Sequence, residues 1–254
     1  MPRSTHGGRH ELGQNFLTHT PTIKRIASLV AETDGAILEL GSGDGALTRA
    51  LHRLQRPLTA IDIDENRVRR LRRALPEVKI KHADALRHPL DAPVIVGNIP
   101  FNITTPVFRR LLSRGTWRSA FLLTQWEVAR KRAGIGGGTM MTAQTAPWFT
   151  FTLHGRVHAH HFTPRPSVDG GIIAIHRRPR ALLAHRRRRD YESFVRSVFT
   201  GRGGTIQRVV QQTIGLRRDH AGRVLSEIGV SSRGLPRDLC PEQWVALYER
   251  TRFG

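Results

Sequence analysis

The chain holds one cysteine, Cys240, in 254 residues, so no intrachain disulfide braces it and a reducing compartment suits it. Lysine is nearly as scarce, standing only at Lys24, Lys79, Lys81 and Lys131. Acidic residues number 20 against 41 lysines and arginines, which leaves a formal net charge of +21. Such an imbalance exceeds anything solubility requires and points to a polyanionic partner. Because almost all of the positive charge is arginine, with a planar fork for phosphate and a face for stacking, nucleic acid fits better than charge steering alone. A GC-rich coding bias would put Arg in place of Lys but would not create the excess over acids. Long apolar runs are missing too: the opening MPRSTHGGRHELGQ has no apolar leader segment, and no later run approaches membrane-spanning length. A soluble cytoplasmic protein is expected.

What is there is an alternation. Strand-like runs at 36–40, 58–62, 78–81, 94–96 and 120–123 are separated by helical spacing of apolar residues at 23–31, 47–54, 66–75 and 106–113. This order predicts an α/β fold with a parallel, Rossmann-like sheet. Two later strands, 149–153 and 171–175, lie close together and predict an antiparallel edge pair. Composition shifts at R177-R-P-R-A-L-L-A-H-R-R-R-R189, and the pattern is helical from there on. The expected division is a catalytic domain over 1–178 and a small helical domain over 179–254.

The first chemical motif is E39-L-G-S-G-D-G45, where a strand ends and a helix begins. Gly41, Gly43 and Gly45 allow tight turns and close approach of a ligand to the helix N-terminus, with Glu39 at the strand end. The spacing is not the G-x-G-x-x-G of dinucleotide sites, and Asp44 inside the loop would repel a pyrophosphate. A cofactor without phosphate and with a cationic centre suits it, which describes S-adenosylmethionine. About twenty residues on, Asp62 and Ile63 end the second strand, where a carboxylate can accept both ribose hydroxyls. Asp64 is the expected cap of the following helix. Asp84 closes the next strand and can accept an adenine amine, with Ala85 against the ring.

The fourth strand runs into Asn98-Ile99-Pro100-Phe101. An aromatic amine is a poor nucleophile because its lone pair is delocalised into the ring. Acceptors for the two amine hydrogens draw the nitrogen toward tetrahedral geometry; the Asn98 side-chain oxygen and the carbonyl of Ile99 or Pro100 are the candidates. Pro100 stiffens the turn, and Phe101 offers a face to a base, a contact worth about 1–3 kcal/mol. An Asn merely capping the helix that follows T104-T-P is the plainer alternative. No strong general base is needed, since the amine turns acidic once methylated; positioning carries the reaction.

Taken in order, H10-E-L-G-Q-N-F-L17, E39-L-G-S-G-D-G45, N98-I-P-F101, L123-T-Q-W-E-V-A-R-K-R132 and F162-T-P-R-P-S-V168 resemble the rRNA adenine-N6 dimethyltransferases over residues 9–178. Q125-W-E-V-A-R-K-R-A-G134 with G136-G-G-T-M-M-T-A-Q144 is similar to the actinobacterial Erm branch, with the KsgA-type small-subunit enzymes as the rival. The resemblance implies a class I methyltransferase fold, S-adenosylmethionine, and a 23S rRNA adenine methylated in naked or precursor RNA by a monomer. Resistance to macrolides, lincosamides and streptogramin B would follow. It implies that Gln14, Asn15 and Phe16 cover the cofactor, with Asn15 at its methionine end, and that Phe162 stands opposite Phe101 to clamp the target adenine. The family often has Tyr where this chain has Phe101, which bears on one methyl against two. A non-catalytic binding factor on the same fold, or a DNA amino-methyltransferase, are the alternatives in other classes. H158-A-H-H161 with His154 reads as strand-alternating solvated histidines rather than a metal site. R186-R-R-R189 reads as a phosphate contact, and Arg196, Arg202 and Arg208 as part of a helical module on the RNA backbone.

Overall fold

The structure is a computed structural model that describes residues 15–113 and 115–252. Its strands are β1 (Phe16–Leu17), β2 (Ile37–Leu40), β3 (Leu58–Asp62), β4 (Lys79–His82), β5 (Val94–Asn98), β6 (Ser119–Gln125), β7 (Phe149–Val157), β8 (Phe162–Thr163) and β9 (Gly170–Arg177). Its helices are α1 (Thr20–Ala31), α2 (Ala46–His52), α3 (Glu65–Ala74), α4 (Thr104–Ser113), α5 (Trp126–Arg132), α6 (Met140–Thr145), α7 (Arg188–Thr200), α8 (Ile206–Ile214), α9 (Arg218–Glu227) and α10 (Pro241–Arg252).

Seven strands form one sheet in the order β4-β3-β2-β5-β6-β9-β7, and β1 pairs with β8 in a separate ribbon. Pairs β4/β3, β3/β2, β2/β5 and β5/β6 are parallel, whereas β9 runs antiparallel to β6. The expected α/β class, with its late strands at one edge, is therefore the observed one. All four residues of β2 are buried, as a central parallel strand covered on both faces must be. Helices close over it by amphipathic spacing: α1 buries Thr22, Ile26 and Val30, one turn apart. Asp64 starts α3 by accepting from the Asn66 and Arg67 amides at 2.9 and 3.1 Å, the cap the sequence suggested.

By compactness the chain falls into two units, one of residues up to Ala129 with Thr152–His176, the other of Arg130–Phe151 with the residues from Arg177 on. In the first, the carboxyl ends of β2, β3, β4 and β5 lie along one sheet edge and carry every motif tied above to the cofactor or to the target base except Phe162 and the stretch ending at Leu17. In the second, α6 packs on α7, the buried Tyr191 hydroxyl donates to the Ala143 carbonyl at 3.0 Å, and Trp148 Nε1 donates to the Leu183 carbonyl at 2.8 Å. Tyr191, Phe194 and Tyr248 meet edge-on around this core.

Candidate functional site

The glycine loop between β2 and α2 turns sharply because Gly41, Gly43 and Gly45 take φ of +73°, +52° and +83°. At Gly43 the requirement is double: a Cβ there would sit 3.0 Å from the Phe16 ring, besides the left-handed backbone. The freed backbone is put to use, since the Gly43 N–H donates to Asp62 Oδ2 at 2.7 Å. Asp62 Oδ1 accepts from the Asp64 N–H at 2.9 Å. Asp62 thus holds the loop and the start of α3 together from the end of β3, and each oxygen keeps a lone pair for a further donor. It is 3% exposed.

Two hollows open along this edge. One, of about 200 Å³, is walled by Ile63, Asp84, Ala85, Leu86 and Ile103. The other is walled by Asn15, Phe16, Gly43, Asn98 and Phe101. Both share Gly41, Asp62, Ile99 and Pro100, so they form one trough crossing the strand ends. Ile63 is 49% exposed, an isolated large apolar side chain on the wall of a mostly apolar hollow, ready to lie against a flat ring. Asp84 accepts from the Leu86 N–H at 2.7 Å through Oδ1, and its Oδ2 stands 3.7 Å from the exposed Arg87. A carboxylate between two hollows, a glycine cradle that a Cβ would fill and an apolar wall fit an adenosyl group.

On the target side, Asn98 Nδ2 donates to the Asn15 carbonyl at 2.7 Å. An amide nitrogen must face a carbonyl, so the side-chain orientation is fixed and Oδ1 is left as the acceptor. Of the two backbone acceptors expected, the Pro100 carbonyl is taken by the Ile103 N–H at 3.1 Å and the Thr104 hydroxyl at 3.3 Å. No described residue donates to the Ile99 carbonyl, which makes it the available partner to Asn98. Phe101 and Phe162 are brought together, with centroids 6.5 Å apart, but crossed at 70°. A base held between two rings needs them parallel; this pair offers one face and one edge. Phe162 is 2% exposed and packs on Gly170, so it serves the core here.

Several expectations need correction. The Asp44 carboxylate does not stand free in the loop: it is bonded to Arg67, with Arg70 at 3.7 Å, so it no longer argues against a pyrophosphate. Glu39 and Gly45 lie behind the trough wall rather than on it; Glu39 is 1% exposed and its Oε2 accepts no hydrogen bond from a described residue. Burial pushes its carboxyl up to about 8, Asp62 adds to the rise, and Thr48 opposes both. His158–His161 is a tight turn, not a strand, with His19 and His161 stacked at 3.6 Å. Arg187 and Arg188 are engaged with Glu249 at 3.3 Å and Glu192 at 2.7 Å, which leaves Arg186 and Arg189 as the exposed members of that run. Gln14 falls outside the described residues.

Two residues escaped the sequence reading: Asn15 acting through its carbonyl on Asn98, and Arg67. The second had a signal, because it lies four residues before Leu71 on the apolar face of α3.

The family described as ribosomal RNA adenine dimethylase matches residues 5–250. Mycinamicin-resistance protein MyrB of Micromonospora griseorubida is 46% identical over 250 residues, 97% of this chain and 80% of that protein. An rRNA adenine N-6-methyltransferase of Corynebacterium diphtheriae is 45% identical over 81% of this chain and 83% of its own length. Among solved structures, the 23S rRNA methyltransferase ErmE superposes with a TM-score of 0.84 at 35% identity, covering 93% of this chain and 99% of that one.

Proposed function

The chain belongs to the ribosomal RNA adenine dimethylase family and is an S-adenosylmethionine-dependent rRNA adenine N6-methyltransferase, and from this we propose that it methylates N6 of one adenine in 23S rRNA, protecting the ribosome against macrolides, lincosamides and streptogramin B. The observation that carries the chemistry is the fixed Asn98 amide, which lines the trough with Asp62, Gly41 and Ile99 and whose Nδ2 is taken by the Asn15 carbonyl, leaving Oδ1 to accept. Choice of 23S over small-subunit rRNA is supported by the likeness to a 23S rRNA methyltransferase and to a mycinamicin-resistance protein.

In this reading Asp62 takes the ribose hydroxyls, Ile63 and Ala85 lie against the cofactor adenine, Asp84 accepts its amine, and Asn15, Phe16, Gly41 and Gly43 enclose the methionine end; Gln14 completes the set assigned to the cofactor. When bound, S-adenosylmethionine supplies an electrophilic methyl on a sulfonium. Asn98 Oδ1 and the Ile99 carbonyl accept the two N6 hydrogens of a flipped adenine and turn its lone pair toward the trough. Pro100 keeps those acceptors at fixed spacing, and Phe101 stacks on the base. The proton leaves to water after transfer, and holding the nitrogen in line is the enzyme's main contribution. A methyl at N6 fills space and removes a hydrogen-bond donor from a drug-docking wall.

The test is expression in a sensitive bacterium with primer extension on its large-subunit rRNA. The wild type is expected to give a stop at one adenine together with drug resistance, and Asn98→Ala neither. Modification confined to the small-subunit 3′ end would overturn the 23S assignment.

In this reading the residues up to Ala129 with Thr152–His176 act as the catalytic domain, and the C-terminal helices, joined by Arg130–Phe151, as the helical RNA-binding domain of a monomer that meets naked or precursor rRNA in the cytoplasm. Support comes from exposed Arg186, Arg189, Arg196, Arg202 and Arg208; among the described residues no helix is long and apolar enough to cross a membrane. If Arg186 and Arg189 each touch a phosphate, neutralising both lowers the slope of log affinity against log salt by roughly 0.7–0.9 per contact. An unchanged slope in a salt titration removes them from the interface.

A further inference from the structure

Arg67 is a charged side chain in an unexpected place. It leaves α3 on the same face as Val68 and Leu71, and its side chain is only 10% exposed. A guanidinium is costly to bury unless it is paired well, because its hydration is lost. Its pairing here is specific. It is bonded to Asp44 in the glycine loop, its Nε stands 3.3 Å from Asp64 Oδ2, and its guanidinium carbon lies 4.1 Å from the centre of the Phe16 ring. Phe16 in turn rests on Gly43, whose N–H is held by Asp62. Arg67 therefore joins the three pieces that surround one end of the trough: the glycine loop, the start of α3 and the N-terminal strand. It is not itself on the wall of either hollow.

We propose that Arg67 is a positioning residue that holds Phe16 down on the glycine loop, and so sets the affinity for S-adenosylmethionine without touching it. This rests on the reading of the trough as the cofactor site. Arginine suits the task because one planar group can stack on a ring while its edge bonds carboxylates, which the point charge of a lysine does only in part. The carboxylates that face it come from different elements, Asp44 from the loop and Asp64 from the helix cap, with Arg70 and Arg49 as the neighbouring cations on Asp44. Losing Arg67 would free Phe16 from one of its supports and leave the Asp44 carboxylate to Arg70 and solvent.

Calorimetry with S-adenosylmethionine and with a 23S rRNA fragment separates this from a general loss of fold. A desolvated cation–π contact corresponds to about a tenfold change in affinity, and Arg67→Met is expected to weaken cofactor binding by about that factor while RNA affinity stays within about twofold. Arg67→Lys is expected to recover part of the loss. Phe16→Leu should weaken the cofactor similarly, and the Arg67→Met, Phe16→Leu double variant should be no worse than the weaker single one, since both remove the same contact. In cofactor-free protein, Arg67→Met should speed amide exchange at Leu17 and Thr18. Wild-type cofactor affinity in Arg67→Met, or strictly additive losses in the double variant, overturns the proposal. Should Arg67→Met not fold, Asp44→Asn, at an exposed position, is expected to weaken the cofactor in the same direction, and no change there overturns it equally. A wild-type protein that does not bind S-adenosylmethionine sinks instead the reading of the trough.

Discussion

The two halves of the trough are built to different standards. On the cofactor half, the carboxylate of Asp62 already accepts two backbone N–H groups, the glycine loop is closed and Phe16 lies in place. On the target half, Asn98 is aimed and one carbonyl stands ready, yet the two phenyl rings cross at 70° rather than face each other. The difference teaches that, in the proposed reading, the described part of the cofactor site is held in place beforehand, whereas the base has to bring its two rings into line. Rigid dipoles are ready for the charge that develops at N6, while stacking is left to the moment of binding.

The strongest way to break this contrast is Asn98→Ala. Removing one preorganised partner of the reacting group is expected to lower methyl transfer by about a hundred- to a thousandfold, with a much smaller change in cofactor affinity. Single-turnover rates against calorimetry check it, and parallel losses in both would mean that Asn98 belongs to the cofactor half. Asp62→Ala comes next. Each charge-assisted bond to ribose is worth about 1.5–3 kcal/mol, so cofactor affinity should fall by about a hundredfold or more, with the glycine loop loosened as well. Retained affinity in the folded variant would show the cofactor site to be held by something else.

Phe101→Ala and Phe162→Leu sharpen the target half. Loss of a stacked face costs about 1–3 kcal/mol, and Phe101→Ala should raise the KM for RNA accordingly with the melting temperature unchanged, while Phe101→Tyr keeps transfer. Phe162→Leu should act mainly through stability, since that ring is buried in the core; an RNA effect without a stability effect would make it a true clamp. The smallest effect concerns Glu39. The native protein keeps its proton up to about pH 8, while the unfolded chain releases it near 4.5. Stability from this group is therefore full below the lower value and lost as pH rises through the higher one. Glu39→Gln should raise the melting temperature by at least about 2 °C at pH 8 and leave it unchanged at pH 4. A pH-independent shift would mean that Glu39 is ionised in the native state.

Gly41, Gly43, Asp62, Asp84 and Asn98 could be read from the chain because each sits where a strand ends, and strand ends in a parallel sheet share one edge whatever fills the core. Asp64 could be read as a cap for the same local reason. Arg67 was hidden among the arginines of E65-N-R-V-R-R-L-R-R-A74, and only its register with Leu71 separates it from the solvated ones. The meaning of Asp44 was missed with it, since its partner lies on another element. Strands of two residues, β1 and β8, leave no periodicity to find, and the crossing of Phe101 with Phe162 depends on packing that no spacing encodes. Nor does composition mark Arg130–Phe151 as belonging with the C-terminal helices, because its grouping is decided by α6 against α7.

The pairing of β1 with β8 sets an order of events during synthesis. Thr18 donates to the His161 carbonyl across 143 residues of chain. A nascent chain leaves the ribosome N-terminus first at roughly 5–20 residues per second, so the glycine loop, Asp62 and Asn98 emerge well before the strand that receives Phe16 and Leu17. Until Phe162 and Thr163 are out, the growing protein has its carboxylates and acceptors but lacks β8, the partner strand of Phe16. The β1–β8 ribbon that seats Phe16 beside Gly43 can therefore close only once the chain through Thr163 has emerged.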